Sequence, residues 1–108
     1  MTAEPLSIAS ERRGDVHRVA PSGELDIATV GSLERVLAEV EASDAETILL
    51  DLTGLRFIDS TGLRLVIELN DRCGGQTDRL RVVADGAPAV ERLLDIVGLR
   101  ERLPLVSP

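Results

Sequence analysis

Between Leu55 and Leu69 the chain reads LRFIDSTGLRLVIEL, which sets an aspartate, two hydroxyls and a glycine, Asp59-Ser60-Thr61-Gly62, inside a mostly apolar run. Four kinds of chemistry suit such a cluster. Asp59 or Ser60 can accept a hydrogen bond from a first-turn N–H and cap a helix, worth about 1 kcal/mol. Ser60 can act as a nucleophile on a strand-to-helix turn. Gly62 and the free N–H groups of a helix start can cradle a phosphate. Ser60 can also accept a phosphoryl group from another protein, gaining about -1.5 to -2 charges at pH 7.

The cap reading leaves the second hydroxyl unexplained, because one residue suffices for a cap. The nucleophile reading lacks its usual surroundings. A nucleophile elbow needs glycine two residues before the serine, where Ile58 stands, and the one histidine, His17, lies in an early strand beside Arg18. The phosphate-cradle reading rests on a single glycine with no glycine-rich loop. A phosphoserine at a helix start would be tolerated by its own fold, since the positive end of the helix dipole favours an anion by roughly 0.3–1 kcal/mol. A partner packed over that start would meet a bulky dianion next to Asp59, and a thousandfold loss of affinity needs only ~4 kcal/mol.

Composition narrows the field further. The chain has 108 residues, 44% hydrophobic and 29% charged, which is the balance of one globular domain spanning 1–108. Phe57 is the only aromatic residue, so aliphatic side chains must fill the core and no base-stacking platform can form. A net charge of -7 disfavours a polyanionic partner, so no nucleic acid is expected. All 12 basic residues are arginines, which removes Schiff-base lysines and the Gly-Lys-Ser/Thr phosphate loop. Cys73 stands alone, so neither an internal disulfide nor a thiolate zinc site is expected, and a reducing cytoplasm fits. Glu4, Glu11, Arg12, Arg13 and Asp15 interrupt the N-terminal region, which therefore reads as neither a signal peptide nor a membrane span. No cofactor or metal is expected.

The elements that position the cluster follow from periodicity. Leu6–Ser10 and Val16–Ala20 predict an opening hairpin around a turn at Arg12–Asp15. Pro21, Ser22 and Gly23 predict an edge position or an irregular end before Glu24-Leu25-Asp26. From Thr29, Val30, Leu33, Val36, Leu37 and Val40 recur at helical spacing until Ser43-Asp44. Thr47–Leu52 predicts a central strand covered on both faces. A second helix starts after Asp59, carries Leu63, Val66 and Ile67 on one face and ends at Gly74-Gly75. A strand over Leu80–Ala84 precedes a third helix that begins at Pro88, buries Val90, Leu93, Leu94 and Val97, and stops at Gly98. Arg100–Val106 reads as a last short strand or a docked tail. The order implies an α/β fold with a mixed sheet of about four to five strands and helices packed against it.

Three ordered segments resemble a known family, the STAS domain, and within it the stand-alone anti-sigma factor antagonists. Gly23-Glu24-Leu25-Asp26 is similar to the family's GELD segment. LTGLRFIDSTGL, residues 52–63, resembles its phosphorylation motif, and APAVERLLDIVGL, residues 87–99, resembles its third-helix segment. The resemblance implies partner switching in transcription regulation, as in stress response and sporulation. The unmodified antagonist would bind an anti-sigma factor that is also a serine kinase, with ATP bound by that partner, and so release a sigma factor. Phosphorylation at Ser60 would block binding, and a metal-dependent PP2C-type serine phosphatase would restore it. Thr61 would position or cap, and Glu24, Asp26, Asp59, Ser60, Thr61 and Gly62 would share one partner-binding rim. The family often continues into a further C-terminal helix, where this chain has Leu105-Val106 and then Pro108. The rival within the fold is a STAS subunit of a larger assembly, such as a lipid-transport ATPase accessory protein or a stressosome component. The rival of another class is a small serine hydrolase.

Overall fold

The computed structural model describes residues 5–73, 79–98 and 100–106. Two strands, β1 (Leu6–Arg13) and β2 (Val16–Leu25), form an antiparallel hairpin. The turn is shorter than its polar residues predict. Arg12 and Arg13 stay in β1, opposite His17 and Val16, and Gly14 in the turn adopts a positive φ of 60°. Helix α1 (Val30–Ala42) leads to β3 (Thr47–Asp51), β4 (Gly54–Ile58) and helix α2 (Ser60–Cys73), followed by β5 (Leu80–Val83) and helix α3 (Pro88–Val97). The predicted stop of α2 at Gly74-Gly75 lies outside the described residues.

The sheet runs β1-β2-β3-β5, and β4 also pairs with β2. Since β1 occupies one edge of β2 along Val16–Gly23, both β3 and β4 lie along the other edge, end to end. β3 pairs with Val16–Val19 and β4 with Ser22–Leu25, all in parallel. The break between them is braced by Asp51, whose Oδ1 accepts from the Thr53 N–H at 2.9 Å and the Thr53 hydroxyl at 2.6 Å. Burial pushes the Asp51 carboxyl up, but those bonds and Arg18 outweigh it and hold it below the ordinary value.

β2 is therefore interior and not an edge strand, contrary to the expectation drawn from Pro21-Ser22-Gly23. Pro21 falls in the gap between the β3-paired and β4-paired stretches, where the ladder on that side is interrupted anyway. The predicted irregularity is present as a register shift between Gly23 and Glu24. Gly23 holds φ 106°, and a Cβ there would lie 2.1 Å from the Pro5 carbonyl oxygen, so only glycine fits.

β3 is a second correction. It lies between β2 and β5, but its burial alternates, with Ile48 and Leu50 fully buried and Thr47, Leu49 and Asp51 half-buried. That is a strand fully covered on one face only. The core is aliphatic, built from Leu25, Leu33, Leu37, Ile48, Leu50, Leu69, Leu80 and Leu94, while Phe57 remains 48% exposed. Val97, predicted on the buried side of α3, is exposed. Gly98 ends α3 in the left-handed region, its N–H bonded to the Leu94 carbonyl at 2.9 Å. The tail makes a 3-10 turn at Arg100–Arg102, and Leu105 then bridges Val82 in parallel, as a docked tail. Arg79 donates to the carbonyls of Val40, Glu41, Ser43 and Ala45, closing the C-terminal end of α1.

Candidate functional site

Strands β2 and β4 are parallel and end level, with Leu25 opposite Ile58. The two loops that leave them therefore start side by side, and the Asp59 N–H donates to the Leu25 carbonyl at 3.2 Å. This pairing brings the Glu24–Asp26 segment and the Asp59–Gly62 segment to one rim of the sheet. Sequence spacing alone leaves them more than thirty residues apart.

Asp59 is the cap of α2: its Oδ1 accepts the Gly62 N–H at 3.1 Å, and its backbone carbonyl takes the Leu63 N–H. Ser60 is released from that duty. It is the first residue of α2, exposed, and its hydroxyl makes no hydrogen bond to another described residue. Thr61, expected to position or cap, is half-buried, and the cap bond is made by Asp59. Gly62 is buried, and a Cβ there would stand 2.8 Å from Leu25 Cγ and 3.0 Å from Ile58 Cγ1. Gly62 thus lets the helix start seat on the ends of β2 and β4, a packing role beside its expected place in the contact set.

The neighbouring loop is equally built. Asp26 Oδ1 accepts the N–H groups of Ala28 at 2.9 Å and Thr29 at 3.2 Å, and the Thr29 hydroxyl donates to the Glu24 carbonyl at 2.8 Å. The Asp26 N–H in turn donates to the Thr29 hydroxyl at 3.0 Å. Asp26 shapes the loop, and the buried Thr29 anchors it. Glu24 stays exposed, 3.8 Å from Arg56.

A hydrolytic pairing of Ser60 with His17 has no geometry to support it. His17 sits near the start of β2 and Ser60 beyond its far end, about 26 Å apart along a strand of this rise. The imidazole Nε2 instead meets the Ser10 hydroxyl at 2.7 Å. Cys73 is buried, and burial, with Glu41 beside it, pushes its thiol pKa up, away from nucleophilic use. Among the described residues no group of three His, Cys, Asp or Glu is arranged to hold a metal ion, and no helix is long and apolar enough to cross a membrane.

The family model described as STAS domain matches residues 7–107. The chain belongs to the STAS domain family. Among curated relatives, this STAS domain is 35% identical over 104 residues to an anti-sigma F factor antagonist of Paenibacillus polymyxa, covering 93% of this chain and 86% of that protein. It is 31% identical over 85 residues to the anti-sigma-F factor antagonist RsfB of Mycobacterium tuberculosis, covering 79% of this chain and 68% of that protein. Among solved structures, an anti-sigma factor antagonist from Mycobacterium paratuberculosis superposes with a TM-score of 0.86 at 29% identity, covering 100% of this chain and 91% of that one.

Two features of the STAS domain's rim escaped the sequence reading. Ile27, at the tip of the Asp26 loop, is 78% exposed, and its only signal is an apolar residue inside a turn. On the flank of β4, Phe57, Leu93 and Ile96 line a shallow groove of about 260 Å³ bordered by Arg56 and Arg92. The lone aromatic of a domain with an aliphatic core is the clue that was available there.

Proposed function

We propose that this STAS domain is an anti-sigma factor antagonist that works by partner switching, as a binding surface in the cytoplasm and not as an enzyme. In the unphosphorylated state its rim binds an anti-sigma factor that is also a serine kinase, and a sigma factor is released. The names of its relatives support the antagonist role. The observation that carries the switch is the exposed Ser60 hydroxyl on the first turn of α2, unbonded among the described residues, beside Asp59 and the tied Asp26 loop.

The geometry suits phosphoryl transfer from ATP bound by the partner. Ser60 Oγ attacks the γ-phosphorus, the bond to the β–γ bridging oxygen breaks, ADP leaves, and the hydroxyl proton passes to a base of the kinase. The product is compatible with the fold, since the α2 dipole favours an anion at this place. It is incompatible with the partner's packing, where a dianion beside Asp59 supplies the ~4 kcal/mol that a thousandfold loss of affinity requires. A metal-dependent PP2C-type phosphatase then hydrolyses the serine–phosphate bond with water and restores the rim. The acidic surface and the absence of a stacking platform leave nucleic acid and membrane out of this scheme.

Incubation with the cognate anti-sigma kinase and ATP is expected to add one phosphoryl group, mapped by mass spectrometry to Ser60. Ser60→Ala binds the anti-sigma factor but stays unmodified, and Ser60→Asp binds weakly. A phosphate mapped elsewhere, or equal binding by both variants, overturns the proposal.

A further inference from the structure

The helix that carries Ser60 presents a cation one turn on. Ser60 and Arg64 stand at i and i+4 of α2, the spacing at which side chains meet on a helix surface. Helical side chains leave the backbone inclined toward the N-terminus, so a group on Ser60 stands within the sweep of the Arg64 side chain. In the unmodified protein Arg64 Nε lies 3.5 Å from Glu68 Oε1, with the two side chains 79% and 51% exposed. A pair so long and so open to water is weakly held.

We propose that Arg64 is the switchable partner of the Ser60 phosphate: it pairs with Glu68 in the unmodified protein and turns back to the phosphoryl group once that group is present. This rests on the reading of Ser60 as the modified residue. The exchange follows from charge and shape. A phosphoserine carries nearly twice the charge of Glu68, offers three acceptor oxygens and matches the planar guanidinium fork. It also lies on the N-terminal side of the arginine, the favourable orientation for an acid–base pair at i,i+4. The other cation described at the rim, Arg56, is as loosely held, 3.8 Å from Glu24, but it lies on β4 and not one turn from Ser60 on the same helix. Modification therefore changes the contour of the rim as well as its charge, because a long side chain leaves the α2 flank and folds over the helix start. A carboxylate at position 60 has two oxygens and a shorter reach, so Ser60→Asp reproduces the block only in part.

The test places phosphoserine at position 60 of the full chain by genetic encoding, which makes the outcome independent of whether any kinase modifies Ser60. The second phosphate ionisation is then followed by phosphorus NMR. Asp59, Asp26, Glu24 and Arg56, the charged groups of the adjoining loop and strand ends, are the same in every variant, so differences between variants report on Arg64 and Glu68. The expected pKa in the otherwise unaltered chain is lower than in Arg64→Gln by on the order of 0.3 units. Arg64→Lys falls between the two, and Glu68→Gln, which removes the competing carboxylate, falls lower still. Equal pKa values with and without Arg64 overturn the assignment, as does an unchanged value in Glu68→Gln. Arg64 is exposed, so its replacement leaves the core intact.

Discussion

The two helix ends that bracket the α1–α2 layer are built to opposite plans. At the C-terminal end of α1, four carbonyls accept from Arg79, and the Glu41 carboxylate meets Arg72 of α2 through bonds of 2.9–3.2 Å. The hydrogen bond and charge of Arg72 hold the Glu41 carboxyl below its ordinary value even though burial opposes them. At the N-terminal end of α2, one carboxylate, Asp59, closes the cap, and the next side chain, Ser60, is left exposed and unbonded. The first end spends its arginines on anchoring the chain, so that a charge change there would propagate into packing. The second end holds its shape through the Asp59 cap and the close seat of Gly62, without the Ser60 side chain.

That contrast can be broken from either side. The largest effect is expected on binding: phosphorylation of Ser60 lowers affinity for the anti-sigma factor about a thousandfold, ~4 kcal/mol, while urea denaturation shows the fold as stable as before. Arg79→Ala should do the reverse, removing about 2–3 kcal/mol of stability as charged hydrogen bonds to carbonyls are lost, with phosphoryl transfer to Ser60 retained at temperatures where the protein is folded. Gly62→Ala forces a Cβ against Leu25 and Ile58 and should cost roughly 1–3 kcal/mol, read as a shifted denaturation midpoint. Asp59→Ala removes the cap and about 1 kcal/mol, visible as faster amide exchange in the first turn of α2.

The smallest effect depends on pH. Because the folded pKa of Glu41 is depressed, its ionised form stabilises the fold above the unfolded value near 4.5, and that contribution disappears as pH falls through the lower folded value. Glu41→Gln should therefore be less stable than the parent at neutral pH and should converge with it in acid. Stability curves that stay parallel across that range would show that the anchored end does not depend on this ion pair.

Much of the fold was legible because its signals are local. The helical spacing of Val30, Leu33, Leu37 and Val40, the stop at Gly98 and the strand at Leu80–Val83 need no distant partner to be read. The errors arose where a distant neighbour decides. Pro21-Ser22-Gly23 reads as an edge position or an irregular end; the irregularity is there, but Pro21 sits inside the sheet because β3 and β4 part beside it. β4 itself was not separated from the run leading to Ser60, since its five residues acquire a strand's identity only by pairing with β2. Gly62 reads only as part of a binding cluster, and its packing role is seen only from its contact with Leu25.

The cluster at Asp59–Gly62, the helix that follows it and the lack of any lysine are properties of the sequence by itself, because residue type and short-range period specify them. Only the tertiary structure decided which hydroxyl is free, which glycine is structural and that the Asp26 loop lies beside Ser60. The reason is that parallel pairing of Leu25 with Ile58 fixes where two distant loops emerge, and burial then assigns each neighbour of Ser60 either to the core or to the surface a partner can meet.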